Sequence, residues 1–294
     1  MRPAPFSVID SRTVTDALSA LCSEPERTKV LAGGQDLLGD LNRRRLAPSI
    51  LVDIRNIPAL RRIRFYHQQI SIGSAVRQHE IQRAQTSEAT GSVVSVLGKV
   101  AAAAGPRAVR TLGTIGGNIA SSRPGTVWAP ALSALGARVQ IAAATGELMT
   151  LHVPDAVRMV RFQEGPAIAV SAEIPEGPVR LVVARAPLPT EAYPSAGVCA
   201  IAVRDGCVRV AISGPGGVES FEAESLQQTS LPSWTKDHVL SPSGKKDNRR
   251  DSDLLLTGLY RRAVATVLAP QVLTIDRTVV VNAESHEQDK PASR

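Results

Sequence analysis

Cysteine is almost missing from this chain: Cys22, Cys199 and Cys207 are all that its 294 residues contain. None sits in a C-x-x-C pair, so the chain by itself offers no zinc or iron–sulfur site of the usual spacing. Three cysteines make no disulfide framework either, which suits a reducing compartment, the cytoplasm. Aromatic residues are also scarce, at 3%, so any core has to be built from Val, Leu, Ile and Ala. The same scarcity weighs against a nucleic-acid surface, where basic residues alternate with stacking aromatics. The net charge is +7, but the positive residues fall in short scattered clusters: Arg43-Arg44-Arg45, Arg61-Arg62 and Lys245-Lys246. Such clusters read as solvated surface or as contact with a partner. No apolar run reaches the ~20 residues a membrane span needs. The opening Met1-Arg2-Pro3-Ala4-Pro5-Phe6 has no apolar leader core and reads as mature sequence.

The common site motifs are missing as well. No G-x-G-x-x-G, P-loop or G-x-S-x-G pattern occurs, which disfavours a Rossmann dinucleotide site, a phosphate loop and a serine hydrolase. His67, His79, His152, His238 and His286 pair with no cysteine or second histidine at ligand spacing. Glu164, Glu173 and Glu176 lie near prolines in polar sequence and suggest no acid–base dyad.

What is present is a repeated local chemistry. Leu31-Ala32-Gly33-Gly34-Gln35-Asp36-Leu37 and Thr111-Leu112-Gly113-Thr114-Ile115-Gly116-Gly117-Asn118 each set a Gly-Gly pair beside a short amide or carboxylate side chain. Glycine pairs allow positive φ and close approach of another body. Successive N–H groups in such a turn converge on an anion. Two such stretches in apolar flanks suggest two loops facing one diphosphate. A third cluster, Gly214-Pro215-Gly216-Gly217, lacks the matching flanks and reads as a structural turn.

Patterning gives the surroundings. Thr13 to Cys22 is a short helix with Asp16 early, Lys29 to Ala32 a strand, Asp36 to Arg44 a helix that Asp36 would cap, and Ser49 to Ile54 a buried strand. Arg62 to Phe65 and Gln69 to Gly73 form a strand pair. His79 to Ala84 and Ser92 to Ala104 are helical, the second stopped by Gly105-Pro106. Thr111 to Ala120 is the second loop, and Pro130 to Gly136 a buried helix or turn. Arg138 to Ala142 and Leu148 to Leu151 form a hairpin around Thr145-Gly146. The proline-spaced stretch from 154 to 194 suggests strands only at Ile168–Ser171 and Arg180–Ala184. Val198 to Val203 and Cys207 to Ser213 alternate around Asp205-Gly206 as a hairpin. Trp234 to Asp253 reads as loop and Leu254 to Leu268 as helix.

The two glycine stretches resemble the flavin-diphosphate loops of the FAD-binding medium subunit of molybdenum-containing hydroxylases, of the carbon monoxide dehydrogenase and xanthine dehydrogenase type. Leu51-Val52-Asp53-Ile54, Ile70-Ser71-Ile72-Gly73-Ser74-Ala75, Arg110, and Asp253, Thr257, Tyr260 and Arg261 extend the resemblance in order over about residues 3 to 270. It implies an α+β fold: a two-subdomain FAD-binding (PCMH-type) domain over 1–175, divided near 57, then a smaller sheet-and-helix domain over 176–284 and a disordered tail over 285–294. It implies FAD held by Leu31, Ala32, Gly33, Gly34, Gln35, Asp36 and Leu37 in the first loop and Gly113, Thr114, Ile115, Gly116, Gly117 and Asn118 in the second, with Ala75 and Arg110 nearby. The glycines would turn N–H groups toward the diphosphate. Gln35, Asp36, Thr114 and Asn118 would add side-chain hydrogen bonds, although a carboxylate repels a diphosphate and helix capping suits Asp36 better. Arg110 would neutralise phosphate charge or form a structural ion pair.

Three further positions follow from counting along the family pattern. Val127 stands where the family has a flavin-contacting Asp, and Arg185 alone answers a Lys ahead of an Arg-rich strand. Tyr193 falls where the family often has an aromatic residue before a small-residue strand; it would cover the ring or, the reading favoured here, be an ordinary partly buried tyrosine. The resemblance implies a FAD-dependent oxidoreductase subunit with no catalytic residue or metal of its own. Its partners would be a large molybdenum-cofactor (Mo-pterin) subunit and a small subunit with two [2Fe–2S] clusters, arranged as a dimer of heterotrimers, with FAD delivering electrons to an external acceptor. Two other readings remain open here: a scaffold subunit without flavin, and a self-sufficient flavin oxidoreductase.

Overall fold

The computed structural model describes residues 2–84, 92–121, 126–162, 165–188, 195–214, 217–223 and 279–282. The expected loop at 234–253, helix at 254–268 and tail at 285–294 lie outside these, as does Tyr193.

The chain opens with β1 (Ser7–Asp10), α1 (Val14–Ser23), β2 (Thr28–Leu31), α2 (Leu37–Asn42) and β3 (Ile50–Asp53). The three strands form a parallel sheet in the order β1-β3-β2. Helix α1 starts at a complete capping box: Asp16 N donates to Thr13 Oγ1 at 3.0 Å, and Thr13 N donates to the Asp16 carboxylate at 3.1 Å. Its Ala17, Leu18 and Leu21 are buried against Val52 and Ile54 and reach Ala142 and Ile168 of the next sheet. Strand β1 was not expected from the sequence. All four of its residues are exposed, so no alternation marks it, and only pairing with β3 makes it a strand.

Next come β4 (Ile63–Phe65), β5 (Gln69–Gly73), α3 (Gln78–Arg83), α4 (Val93–Ala103), α5 (Arg107–Leu112), α6 (Ile115–Ile119), α7 (Trp128–Ala134), β6 (Arg138–Ala143), β7 (Leu148–His152), α8 (Val153–Phe162) and β8 (Ala167–Pro175). Their strands make an antiparallel sheet in the order β4-β5-β8-β6-β7. Helix α8 was also unexpected. Pro154 stands in its first turn, where a missing N–H costs nothing, and Val153, Ala156 and Val157 are buried at helical spacing.

A third sheet holds β9 (Arg180–Leu188), β10 (Ser195–Arg204), β11 (Cys207–Gly214), β12 (Gly217–Ala223) and β13 (Val279–Asn282), in the order β12-β11-β10-β9-β13. Its pairs are antiparallel except β13 with β9. The β10–β11 turn is the expected one: Asp205 (φ 49°) and Gly206 (φ 80°) are both left-handed, matching the strands' twist. Arg204 donates to the carbonyls of Glu176 and Pro175 at 2.7 and 3.0 Å, tying this sheet to the end of β8.

Helix α7 joins the second and third sheets. All seven of its residues are buried, the mark of a helix packed on every side. Trp128 and Leu132 share one core with Ile72, Val139 and Ile141 of the second sheet and Val198, Ala200 and Ala211 of the third. The fold is α+β. Among the described residues no helix is long and apolar enough to cross a membrane.

Candidate functional site

The two Gly-Gly stretches, about eighty residues apart in sequence, meet backbone to backbone. A Cβ built on Gly33 would fall inside contact of the Leu112 carbonyl oxygen and 2.8 Å from the Gly113 α-carbon. Only glycine lets the two chains approach this closely. Gly34 follows with φ +70°, a left-handed turn. The N–H groups of Gly33, Gly34 and Gln35 donate to no acceptor among the described residues. Three successive open donors around a left-handed glycine form a concave surface suited to an anion. Ala32 and Leu37 flank the turn half-buried, while Leu31 is anchored in a small core with Leu41 and Leu51.

The second stretch is not the loop expected over Thr111–Ala120. It is the end of α5, a break at Gly113-Thr114, and the short α6. Thr114 caps α6: its Oγ1 accepts from Gly117 N at 3.1 Å. Below it runs residues 74–78, joined to it by Gly116 N to Ser74 O (2.9 Å), Ile115 N to Val76 O (3.1 Å) and Gln78 N to Gly113 O (2.9 Å). A Cβ on Gly116 would stand 2.5 Å from the Ser74 Cβ. Gly116 and Gly117 therefore allow close packing but, contrary to expectation, spend their N–H groups inside the chain. Ile115 is fully buried, and Ala75 is buried on the supporting segment.

The polar side chains also take unexpected partners. Asp36 precedes α2 but makes no side-chain cap bond there. Its Oδ2 instead accepts from Ser121 Oγ at 2.5 Å, across 85 positions of sequence. Asn118 Oδ1 accepts from Trp128 N at 3.3 Å, so its carbonyl end holds the start of α7. Gln35 is exposed, its Nε2 3.5 Å from the Gly33 carbonyl. Arg110, for which the sequence leaves both a phosphate contact and a structural ion pair open, donates to the carbonyls of Ala102 (3.1 Å) and Gly105 (2.5 Å), at and just past the end of α4. A cation there satisfies carbonyls that the helix leaves open.

Val127 is only 1% exposed and sits in the main core. Its side chain faces no open surface, so the slot counted from the sequence does not open toward a ligand. Arg185 lies in β9.

Ser74, Gln78 and Ser121 are the site's neighbours that sequence reasoning left without a role. Ser74 and Gln78 are buried beneath the second stretch, and among the described residues Ser74 Oγ and Gln78 Oε1 meet no hydrogen-bond partner. Their signal is faint, because a serine or glutamine in a mixed segment carries no period. Beside the first stretch, Asp53 binds Arg55 through its side-chain and backbone N–H groups. Burial pushes the Asp53 carboxyl up, but the Arg55 hydrogen bonds and charge outweigh it and hold the group below its ordinary value. Among the described residues no cluster of His, Cys, Asp and Glu could hold a metal.

Comparison with known proteins accords with this geometry. Residues 4–176 match the family described as the FAD binding domain in molybdopterin dehydrogenase. Caffeine dehydrogenase subunit beta of Pseudomonas sp. (strain CBB1) is 28% identical over 137 residues, 47% of this chain and 45% of that protein. The 6-hydroxypseudooxynicotine dehydrogenase complex subunit alpha of Paenarthrobacter nicotinovorans is 34% identical over 147 residues, 50% of this chain and 49% of that one. The chain thus spans about half the length of the curated relatives it matches. Among solved structures, the carbon monoxide dehydrogenase of Hydrogenophaga pseudoflava lacking the Mo-pyranopterin moiety superposes with a TM-score of 0.70 at 20% identity, over 90% of this chain and 98% of that one. Quinoline 2-oxidoreductase of Pseudomonas putida 86 gives 0.68 at 22% identity, over 90% and 98%. At such identities these two show the fold. With the family pattern covering more than half of its length, the chain belongs to the FAD-binding domain family of molybdopterin dehydrogenases.

Proposed function

We propose that the chain is the FAD-carrying, electron-transferring subunit of a heteromeric molybdenum hydroxylase. The observation that carries this is the junction of the two glycine stretches: Gly33 against Leu112–Gly113, beside Gly33, Gly34 and Gln35 N–H groups that meet no acceptor among the described residues. That surface fits the diphosphate of FAD. Its donors are neutral backbone groups already fixed in place, so little ordering is lost on binding. FAD, when bound, supplies the redox change itself, taking electrons released at molybdenum and [2Fe–2S] centres on partner chains and passing them to an external acceptor. This chain's residues bind and orient it, with Gly33 to Gln35 at the diphosphate. The relatives named above, a subunit beta of one dehydrogenase and a subunit alpha of another's complex, support partner chains, here a large molybdenum subunit and a small iron–sulfur subunit as the family resemblance implies. A cytoplasmic location accords with three unpaired cysteines.

A second reading, a scaffold subunit without flavin, draws on one observation. Arg110 and the N–H groups of Gly116 and Gly117 are committed to internal bonds. One preparation decides between them. Purified from its native host, the chain should bring a molybdenum subunit and an iron–sulfur subunit, and heat should release FAD in equal amount. Partners without FAD would favour the scaffold; FAD with no partners would favour a self-sufficient flavoprotein.

A further inference from the structure

We propose that Asp36 and Ser121 form a clasp that fixes how the two glycine stretches face each other, and that both act as positioning residues for FAD. The inference rests on the flavin reading above and extends it to a pair of side chains with another job than touching the cofactor. A carboxylate two residues beyond the first Gly-Gly pair would repel a diphosphate if it pointed there. The structure points it elsewhere: Ser121 Oγ donates to Asp36 Oδ2 at 2.5 Å, and Ser121 is 8% exposed. A short hydroxyl-to-carboxylate bond is among the stronger kinds of hydrogen bond.

Position along the chain gives the bond its leverage. Asp36 immediately precedes α2, and Ser121 follows α6 by two residues, so the bond ties the start of one helix to the end of another. At the opposite side the stretches meet through Gly33 and Leu112–Gly113, and a Cβ on Gly117 would stand 3.9 Å from the Ala32 Cβ. One attachment would leave the stretches free to pivot. Two, on either side of Gly34 and Gln35, fix both their separation and their angle. A binding gap between them keeps its shape only while both hold.

The test titrates FAD into the purified full-length chain, freed of flavin, and follows flavin fluorescence. Ser121→Ala and Asp36→Ala should each weaken binding about tenfold, equivalent to about 1.4 kcal/mol. The double variant should lose less than the product of the two single losses, because the bond they share is removed only once. Asp36→Asn should bind at least as tightly as wild type, since its amide oxygen still accepts from Ser121 and the repulsion is gone. Ser121→Thr, which keeps the hydroxyl, should also bind as wild type, and stands in if Ser121→Ala does not fold. Losses that multiply in the double variant would overturn the clasp. So would a Ser121→Ala protein with a lower melting temperature but unchanged FAD affinity, which would make the bond merely structural. Loss of binding in Asp36→Asn with none in Ser121→Ala would place the carboxylate directly on the cofactor and overturn it too. A folded wild-type chain that takes up no FAD would instead overturn the flavin reading on which the clasp rests.

Discussion

Gly33 lies with its α-carbon against the Leu112 carbonyl, so close that a side chain of any size would have to push backbone rather than rotate a flexible tip. Gly33→Ala is therefore not a mild change. The methyl group meets the Leu112 oxygen and the Gly113 α-carbon, neither of which can yield without moving α5. Overpacking of this kind costs about 1–3 kcal/mol. The variant should fold with a lower melting temperature and lose most of its flavin. Flavin released by heat, per mole of protein, is the measurement. Wild-type content would mean that the close approach has no bearing on the cofactor.

Arg110 separates two roles that look alike in sequence. With its guanidinium on the Ala102 and Gly105 carbonyls, Arg110→Ala should lower stability by about 1.5–3 kcal/mol, the range for hydrogen bonds to a charged group. It should leave FAD affinity and its salt dependence unchanged. Urea unfolding and FAD titration at two ionic strengths check both halves. Weaker binding that becomes less sensitive to salt, at constant stability, would put the arginine on a phosphate.

These contrasts show what was readable from residues alone. Elements with local causes were legible: α1 from the Thr13–Asp16 box, and the β10–β11 turn from Asp205-Gly206. Strand β1 was not, because four exposed residues carry no pattern and pairing with β3 is a long-range event. The Gly-Gly pairs could be read as places of close approach, since only backbone freedom was needed for that inference. What each faces could not be. Gly33 meets Leu112, Asp36 meets Ser121, and Asn118 meets Trp128 only once the chain has folded. Arg110 was ambiguous for the same reason: its acceptors are five and eight residues away, but α5 must first fold back onto the end of α4.

Cysteine reactivity should divide sharply. Cys22 and Cys207 are exposed, whereas Cys199 is buried in β10, where burial pushes its thiol up to about 12. At pH 8 its thiolate fraction is on the order of 10⁻⁴, and the thiolate is the reactive form. Iodoacetamide on the native protein should label two cysteines, and the third only in denaturant. Peptide mass spectrometry reads this directly. Native labelling of Cys199 at the rate of the other two would contradict its burial.

The Asp53–Arg55 pair should give an acid-dependent stability term. The folded Asp53 carboxyl titrates below its ordinary value near 3.8, so its contribution is present above that pH and is lost as pH falls through the depressed folded value. Arg55 is half exposed, which keeps the term near about 1 kcal/mol. Wild type should exceed Asp53→Asn in urea midpoint at pH 7 and converge with it at the lowest pH at which both remain folded. A constant difference across that range would mean the ion pair contributes nothing.

Val127 supplies the sharpest test, because sequence and structure point in opposite directions. Counted along the family pattern, Val127→Asp restores a flavin contact and should tighten binding. In the fold, the side chain is 1% exposed beside Trp128 in the main core. A carboxylate at the residue preceding α7 would gain about 1 kcal/mol if it capped that helix. But the backbone at 127 is helical (φ −90°, ψ −24°) rather than extended, and Pro130, at the third helical position, has no N–H to donate. Against that small gain stands the cost of an unpaired buried charge, several kcal/mol. The loss wins, so Val127→Asp should destabilise by about 3 kcal/mol or more at pH 7 without tightening FAD. The buried carboxyl would have a raised folded pKa, so the penalty grows as pH rises through the ordinary carboxylate range and shrinks toward pH 4. Val127→Thr, of similar size and uncharged, should cost far less. Urea melts of the three proteins at pH 4.5 and 7, with FAD titrations beside them, settle the direction. Unchanged stability together with tighter FAD binding would show that position 127 opens toward the flavin after all.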